Sequence, residues 1–257
     1  LDRDTYRNRG VSSSLSHQFN DEIKIDFQYF LTTAKNMFDS GFAEYDPTEI
    51  DYKNKAKQEA YSTKLTGNIN DYWESSIKIG KSTDLYSDQQ KDYVQGKINK
   101  FETSQYQLAW QNNINLDYGS LVLLYDYLKE EIDTTNVYDK DKRDNHGFVL
   151  GYNMQYEKHT IQTSLREDIN SQYDNETTGS IGYAYQINNQ WKVSSLFGTA
   201  FVAPTFNDLY FPGSYNNPDL KPEKSKNIEA SLKYSDNSTS ISLTAYQNKI
   251  DDFIVSS

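Results

Sequence analysis

The chain has 257 residues, with 26 Lys+Arg against 37 Asp+Glu, a formal charge of −11, three histidines and no cysteine. The missing thiols exclude disulfide frameworks, cysteine nucleophiles and Cys-based zinc sites, and the acidic balance argues against a general nucleic-acid binder. A mean hydropathy of −0.86 without any long apolar run excludes a membrane-spanning helix, but not a membrane β-barrel, whose strands are only half apolar.

Taken in chain order, period two holds where the helical period fails. About twelve strands are predicted, near 9–19, 22–35, 55–69, 72–83, 104–116, 119–133, 145–157, 159–170, 178–188, 190–202, 225–235 and 239–252. In the second strand Ile23, Ile25, Phe27, Tyr29 and Leu31 alternate with Lys24, Asp26 and Gln28. In the ninth, Ile181, Tyr183, Tyr185 and Ile187 alternate with Ser180, Gly182, Ala184 and Gln186. The tenth sets Trp191, Val193, Phe197 and Phe201 against Lys192, Ser194 and Gly198.

The connections alternate without exception between short and long. Short turns fall at Asn20-Asp21, Asn70-Asp71, Asp117-Tyr118-Gly119, Glu157-Lys158, Asn188-Asn189 and Ser235-Asp236-Asn237-Ser238. Long polar segments, 36–54, 84–103, 134–144, 171–177 and 203–224, lie between them. In an up-and-down antiparallel sheet this puts all tight turns at one end and all long loops at the other, as in an outer-membrane barrel. Phe19, Tyr72, Trp73, Tyr118, Tyr156, Trp191 and Tyr234 lie within two residues of a short turn, where an interfacial aromatic girdle belongs. A soluble Tyr-rich sandwich or solenoid is the alternative. It would have to bury Ser12, Ser14, Ser16, Gln18, Lys64, Thr66, Asn68, Glu74, Lys78, Gln105, Gln107 and Gln111 in its interior, a set that a water-filled or plugged lumen tolerates. The predicted fold class is therefore all-β, a transmembrane antiparallel up-and-down β-barrel.

The densest local signal runs over 198–229. It comprises Gly198-Thr199-Ala200-Phe201-Val202-Ala203-Pro204-Thr205-Phe206, then Leu209-Tyr210, then Asn217-Pro218-Asp219-Leu220-Lys221-Pro222-Glu223-Lys224-Ser225 and Glu229. Pro204 ends a strand by removing a ladder donor, Pro218 keeps the loop out of regular pairing, and Pro222 sits at the allowed first edge of the next strand. This passage resembles the TonB-dependent outer-membrane receptor family, in which a strand ends in A-P-T/S and the next begins at N-P-x-L-x-P-E. Val202 departs from the basic residue usual there, and Ala230 from a frequent glycine. Within the family the chain is most similar to the cobalamin (vitamin B12) receptors, through Asp4–Arg9, Ser104–Asn113 and Tyr246–Asp252.

The resemblance implies energised uptake of a large scarce nutrient, most readily cobalamin, with TonB pulling on a plug domain. A siderophore or haem receptor of the same fold is the alternative, and a non-transport, adhesin-like surface β protein is the alternative of another class. It also implies calcium in an extracellular loop, held by Asp39 and Asp51 with Asp46 between them, since hard oxygen donors suit that ion. Asn99 stands where the cobalamin receptors make a substrate contact, and Tyr86, Tyr93, Tyr210 and Tyr215 are loop tyrosines offering apolar area with one hydroxyl. Receptors of this type close at about 22 strands. Residues 1–257 are therefore expected to be the middle portion of a barrel wall, with the plug domain and the rest of the barrel elsewhere and membrane lipid around it. Asp139-Lys140-Asp141-Lys142-Arg143-Asp144 starts like a calcium loop but lacks the Gly and distal Glu of an EF-hand. Nothing resembles a P-loop, a dinucleotide fingerprint, a nucleophile elbow or a zincin helix, so no enzyme is expected.

Overall fold

A computed structural model describes residues 5–39, 51–90, 98–213 and 216–255. The strands are β1 (Tyr6–Gln18), β2 (Ile23–Asp39), β3 (Asp51–Asn70), β4 (Trp73–Gln90), β5 (Ile98–Leu116) and β6 (Gly119–Thr134). They continue as β7 (Lys142–Tyr156), β8 (His159–Asn170), β9 (Glu176–Gln186) and β10 (Trp191–Val202). A short helix, α1 (Phe206–Tyr210), precedes β11 (Glu223–Ser235) and β12 (Ser240–Asp251). All twelve strands form one sheet in sequence order, so every strand pairs with its chain neighbours.

Four of the six short turns share one chemical device. Asn20 Oδ1 accepts from the amides of Glu22 and Ile23 at 2.9 and 2.7 Å, and Asn188 Oδ1 from those of Gln190 and Trp191 at 2.9 and 3.0 Å. Asn70 Oδ1 accepts from Tyr72 N at 3.1 Å, and Asp236 Oδ1 from Ser238 N and Thr239 N at 2.8 Å each. An Asx side chain that satisfies the turn amides fixes the reversal, and the reversal fixes the register. Gly119, at φ +139°, closes the β5–β6 turn in backbone space that L side chains rarely adopt.

Register then sorts the side chains. Across β10 and β11, Trp191 faces Tyr234, Val193 faces Leu232 and Phe197 faces Ile228; the intervening pairs are Lys192–Lys233, Ser194–Ser231 and Gly198–Asn227. Across β7 and β8 the apolar pairs Met154–Ile161 and Leu150–Leu165 alternate with Asn153–Gln162 and Gly151–Ser164. Each strand thus has one polar and one apolar face, and the polar one carries the Ser12, Ser14, Ser16 and Gln18 series predicted for it.

The apolar face is uncovered. Val11, Leu15, Leu65, Ile181, Phe197 and Leu243 are exposed, whereas the buried hydrophobic residues among those described are only Ile132, Ala184, Phe206, Leu209 and Tyr210. Leaving each large apolar side chain in water forgoes about 1.5–3 kcal/mol, so a sheet built this way needs a nonaqueous neighbour. A two-sheet sandwich would bury that face, and these strands do not. Near the short turns the rings group as predicted: Trp191 and Tyr234 lie 5.0 Å apart, and Tyr118 and Tyr156 5.4 Å.

The strands are longer than the hydrophobic alternation suggests. β2 runs to Asp39, β4 to Gln90, and β5 begins at Ile98, so the predicted connections 36–54 and 84–103 shrink to 40–50 and 91–97. Ladder hydrogen bonds continue past the last apolar residue because they need backbone alone. Two compact units appear. Leu1–Leu65, Lys78–Leu108 and Leu128–Asp144 form the first, containing β1, β2 and the long-connection parts of β3 to β6. Thr66–Ile77, Ala109–Tyr127 and Asn145–Ser257 form the second, with the short-turn parts of those strands, most of β7 and everything from β8 onward.

Candidate functional site

In the second unit the polar face carries a tight ionic cluster. Arg166 on β8 binds Asp126 of β6 in a fork, Nη1 to Oδ2 at 2.7 Å and Nη2 to Oδ1 at 3.0 Å. The same guanidinium holds Asp168 through Nε and Nη2, both at 2.7 Å, and Asn145 Nδ2 donates to Asp168 Oδ1 at 2.7 Å. Asn170 Nδ2 continues the chain to Asn145 Oδ1 at 3.2 Å. Gly147 makes the room: a Cβ there would sit 2.2 Å from Arg166 Nη2 and 2.7 Å from Asp126 Oδ1. The Asp168 side chain is only 3% exposed, and an unpaired carboxylate at that depth would be costly, which the two guanidinium contacts offset.

At the long-connection end of this unit the 198–229 motif folds on itself. Pro204 is fully buried, and Thr205 and Asp208 form a capping box: Thr205 N donates to Asp208 Oδ2 at 2.8 Å, and Asp208 N to Thr205 Oγ1 at 3.2 Å. Phe206, Leu209 and Tyr210 bury the other side of α1. Asn217 N donates to Asp208 O at 2.9 Å, which ties the returning chain to the helix. Lys224 Nζ pairs with Glu176 at 2.8 Å. Gln172, in the β8–β9 connection, keeps both amide atoms buried with no partner among the described residues.

In the first unit Glu130 on β6 is held by Arg143 of β7 and by Gln105 Nε2 of β5 at 3.0 Å, and Ser82 Oγ donates to Gln105 Oε1 at 3.3 Å. Lys100 Nζ bridges Asp133 at 2.7 Å and Glu102 at 3.0 Å. Towards the middle of β1 to β5 an open recess of about 520 Å³ is lined by residues including Ser12, Ser14, Gln28, Ser62, Lys78 and Gln107. Gly80 keeps it open, since a Cβ would meet Tyr61 O at 3.1 Å and Ser62 Cβ at 3.2 Å. The lining offers hydroxyl and amide donors and acceptors and the two ammonium groups of Lys78 and Lys81, which suits a polar surface or a large hydrogen-bonding solute. Among the described residues no group of three or more His, Asp or Glu side chains is arranged to hold a metal ion.

The predicted site residues scatter. Asn99 and Tyr86 lie on strands, not loops: Asn99 near the start of β5, with Nδ2 3.4 Å from Asp88 Oδ2, and Tyr86 exposed on β4. The predicted loop 84–103 gives way here because the alternation fades while the ladder does not. Tyr210 ends α1 and is buried. Tyr93, Tyr215 and Asp46 lie outside the described residues. Asp39 ends β2 and Asp51 begins β3, and their side chains also lie outside them. No sequence motif marks the Arg166–Asp126–Asp168 cluster. Arg166 and Asp168 are visible as same-face neighbours, but Asp126 meets them across a long connection whose register no turn fixes.

Comparison with known proteins gives these features a context. The chain is 31% identical over 256 residues to "Vitamin B12 transporter BtuB" of Photobacterium profundum, covering 98% of this chain and 40% of that protein. It is 27% identical over 258 residues to the protein of the same name from Vibrio vulnificus, covering 97% and 40%. Among solved structures, a mutant of the ferric enterobactin receptor PfeA from Pseudomonas aeruginosa superposes with a TM-score of 0.82 at 16% identity, covering 96% of this chain and 43% of the receptor. The siderophore receptor PirA from Acinetobacter baumannii gives 0.80 at 14% identity, covering 98% and 44%. This chain therefore spans about 40% of the length of these two curated relatives. All of residues 1–257 match the family described as TonB dependent receptor-like, beta-barrel. With its twelve antiparallel strands, each with one apolar and one polar face, the chain belongs to this family of outer-membrane transport receptors.

Proposed function

We propose that this chain is part of the barrel wall of a receptor that binds cobalamin at the cell surface and imports it across the outer membrane, energised by TonB acting on a plug domain. The observation that carries this reading is the 31% identity across nearly the whole chain to a protein named as a vitamin B12 transporter. The siderophore receptors share the fold at under 20% identity, which speaks to architecture alone. In this reading the polar face lines the lumen, with its recess beside β1 to β5 and its ion pairs, and the apolar face contacts lipid. The long connections face outward from the cell. Tyr86, Asn99, Tyr93, Tyr210 and Tyr215 are the proposed ligand contacts, and Asp39, Asp46 and Asp51 a proposed calcium-binding set that would order the β2–β3 connection. The family is one of transport receptors, and the proposal involves no enzymatic step.

The test is equilibrium binding of cyanocobalamin to the full-length receptor in detergent, with and without calcium, beside ferric enterobactin as competitor. Saturable cyanocobalamin binding that ferric enterobactin does not displace is expected, tightening when calcium is added. Binding of the ferric siderophore in place of the corrinoid would overturn the assignment, and calcium-independent affinity would remove the aspartate site.

A further inference from the structure

The polar face of the first unit holds two cations that no carboxylate answers. Gly80 of β4 stands against Ser62 of β3, since a Cβ there would meet Ser62 Cβ at 3.2 Å, and Gln58 Nε2 of β3 donates to Asp84 Oδ2 of β4 at 3.3 Å. Both contacts fix the same antiparallel register, which sets Lys64 directly opposite Lys78. Like charges so placed repel unless an anion sits between them. Among the described residues neither lysine makes an ion pair. The carboxylates along these strands are committed elsewhere. Asp26 pairs with Lys24 at 2.9 Å and takes the Ser16 hydroxyl, leaving Lys64 only a longer-range attraction. Asp84 holds Gln58, and Glu74 accepts from Asn113 Nδ2 at 3.1 Å. Lys81, the other lysine at the recess, stands 4.8 Å from the ring centre of Tyr106.

Lys78 borders the open recess of about 520 Å³, and the lysine pair lies one ladder step, about 7 Å, from the Ser62–Gly80 pair. Ser12, Ser14 and Ser62 offer hydroxyls to it, and Gln28 and Gln107 amides. Phe30 interrupts this polar series. It faces Ser12 across the β1–β2 ladder and is 44% exposed. An ammonium pair, hydrogen-bonding side chains and one uncovered aromatic ring suit a phosphate ester that also carries sugar hydroxyls and a heteroaromatic ring. A recess of this size takes one such nucleotide-like group. A lone carboxylate from a packed protein segment would answer the lysines, but it has no use for the ring. Lys78 is five residues along β4 from Trp73 at the short turn, about 17 Å, and twelve from Gln90 at the other end, about 40 Å.

We infer that Lys64, Lys78 and Phe30 form an inner binding station for the nucleotide-like end of the transported ligand, its phosphate between the two ammonium groups and its aromatic base against Phe30. Cobalamin carries such an end, a phosphodiester joined to a ribose and a benzimidazole, so the station deepens the cobalamin reading and rests on it. Because it lies on the short-turn half of the wall, it acts on passage of the ligand and not on its capture at the cell surface.

The test uses cells carrying the full-length receptor and compares TonB-energised uptake of cyanocobalamin with that of dicyanocobinamide, a corrinoid without the nucleotide. Lys64→Gln/Lys78→Gln should slow saturated cyanocobalamin uptake on the order of tenfold, with cobinamide uptake and the affinity of the purified receptor for cyanocobalamin at wild-type values. Lys64→Arg/Lys78→Arg should keep most of the cyanocobalamin rate. Phe30→Leu, which keeps bulk without the ring, should show the same selectivity at a smaller loss. Heat-modifiable migration reports folding of every variant, and where the lysine variant fails to fold Phe30→Leu alone decides. Equal loss for both corrinoids would overturn the inference and assign the lysines to a carboxylate of the protein itself; undiminished cyanocobalamin uptake would overturn it too. A wild-type receptor that binds neither corrinoid overturns the cobalamin reading and the station with it, whereas one that imports both and whose variants treat them alike overturns only the station.

Discussion

Removing the Arg166 guanidinium tests the polar-face cluster directly. Arg166→Leu deletes four charge-assisted contacts, of 2.7, 3.0, 2.7 and 2.7 Å, and leaves Asp126 and Asp168 without a cation. Asp168 is the costly one, because its side chain is 3% exposed and only the Asn145 amide remains to it. Asp126, at 25% exposure, recovers part of its solvation. Breaking a buried pair on one side costs about 3–5 kcal/mol, and the half-open position of Asp126 puts the expectation near the lower end, about 3 kcal/mol. The assay is the urea midpoint of the full-length receptor refolded in lipid vesicles, read by tryptophan fluorescence and by heat-modifiable migration. Arg166→Gln combined with Asp126→Asn and Asp168→Asn removes all three charges and should recover most of the loss. A loss below about 1 kcal/mol for Arg166→Leu, or a neutral triple variant no better than the single one, would refute the claim that a desolvated carboxylate drives the cost.

Two other changes probe single features of the fold. Gly119→Ala forces a Cβ to within 2.2 Å of Asn153 O while the backbone holds φ +139°, so folding yield in vesicles should fall and the β5–β6 turn should lose amide protection; wild-type yield would show that the turn relaxes freely. Asp236 is held at a pKa of about 2, first by the Tyr234 hydroxyl and then by the Ser238 and Thr239 amides. A depressed carboxylate stabilises its turn fully above the unfolded value of 3.8 and loses that contribution as pH falls through about 2. Chemical-shift titration of Ser238 and Thr239 amides should therefore show a midpoint near 2 that disappears in Asp236→Asn, and a midpoint near 4 would contradict the capping geometry.

How far the primary structure reaches can be seen strand by strand. The β7–β8 register follows from the Glu157-Lys158 turn alone, which already places Gly147 opposite Asp168. The aromatic ends are legible for the same reason: Trp191 and Tyr234 flank short turns, so counting in steps of two puts both on the apolar face. The capping box at Thr205–Asp208 is present in the Pro204-Thr205-Phe206-Asn207-Asp208 string, but it reads as loop because five residues carry no helical period. Asn99 and Tyr86 read as loop for the opposite reason, since a polar strand outside the apolar band has lost the alternation that marks it.

The sequence by itself determined the two faces, the order of the strands and the end at which the long connections lie. Side-chain parity and tight-turn chemistry are local, and they survive without knowledge of any distant partner. Only the tertiary structure decided how far the ladder runs past the apolar band, and which charges meet across it. The Arg166–Asp126 fork joins residues 40 apart through a connection of undetermined register, and α1 is tied to the chain that returns to it by the bond from Asn217 N to Asp208 O. The cations of β1 and β2 take their place from both levels: parity assigns their face, and the antiparallel register sets Arg7 against Lys35.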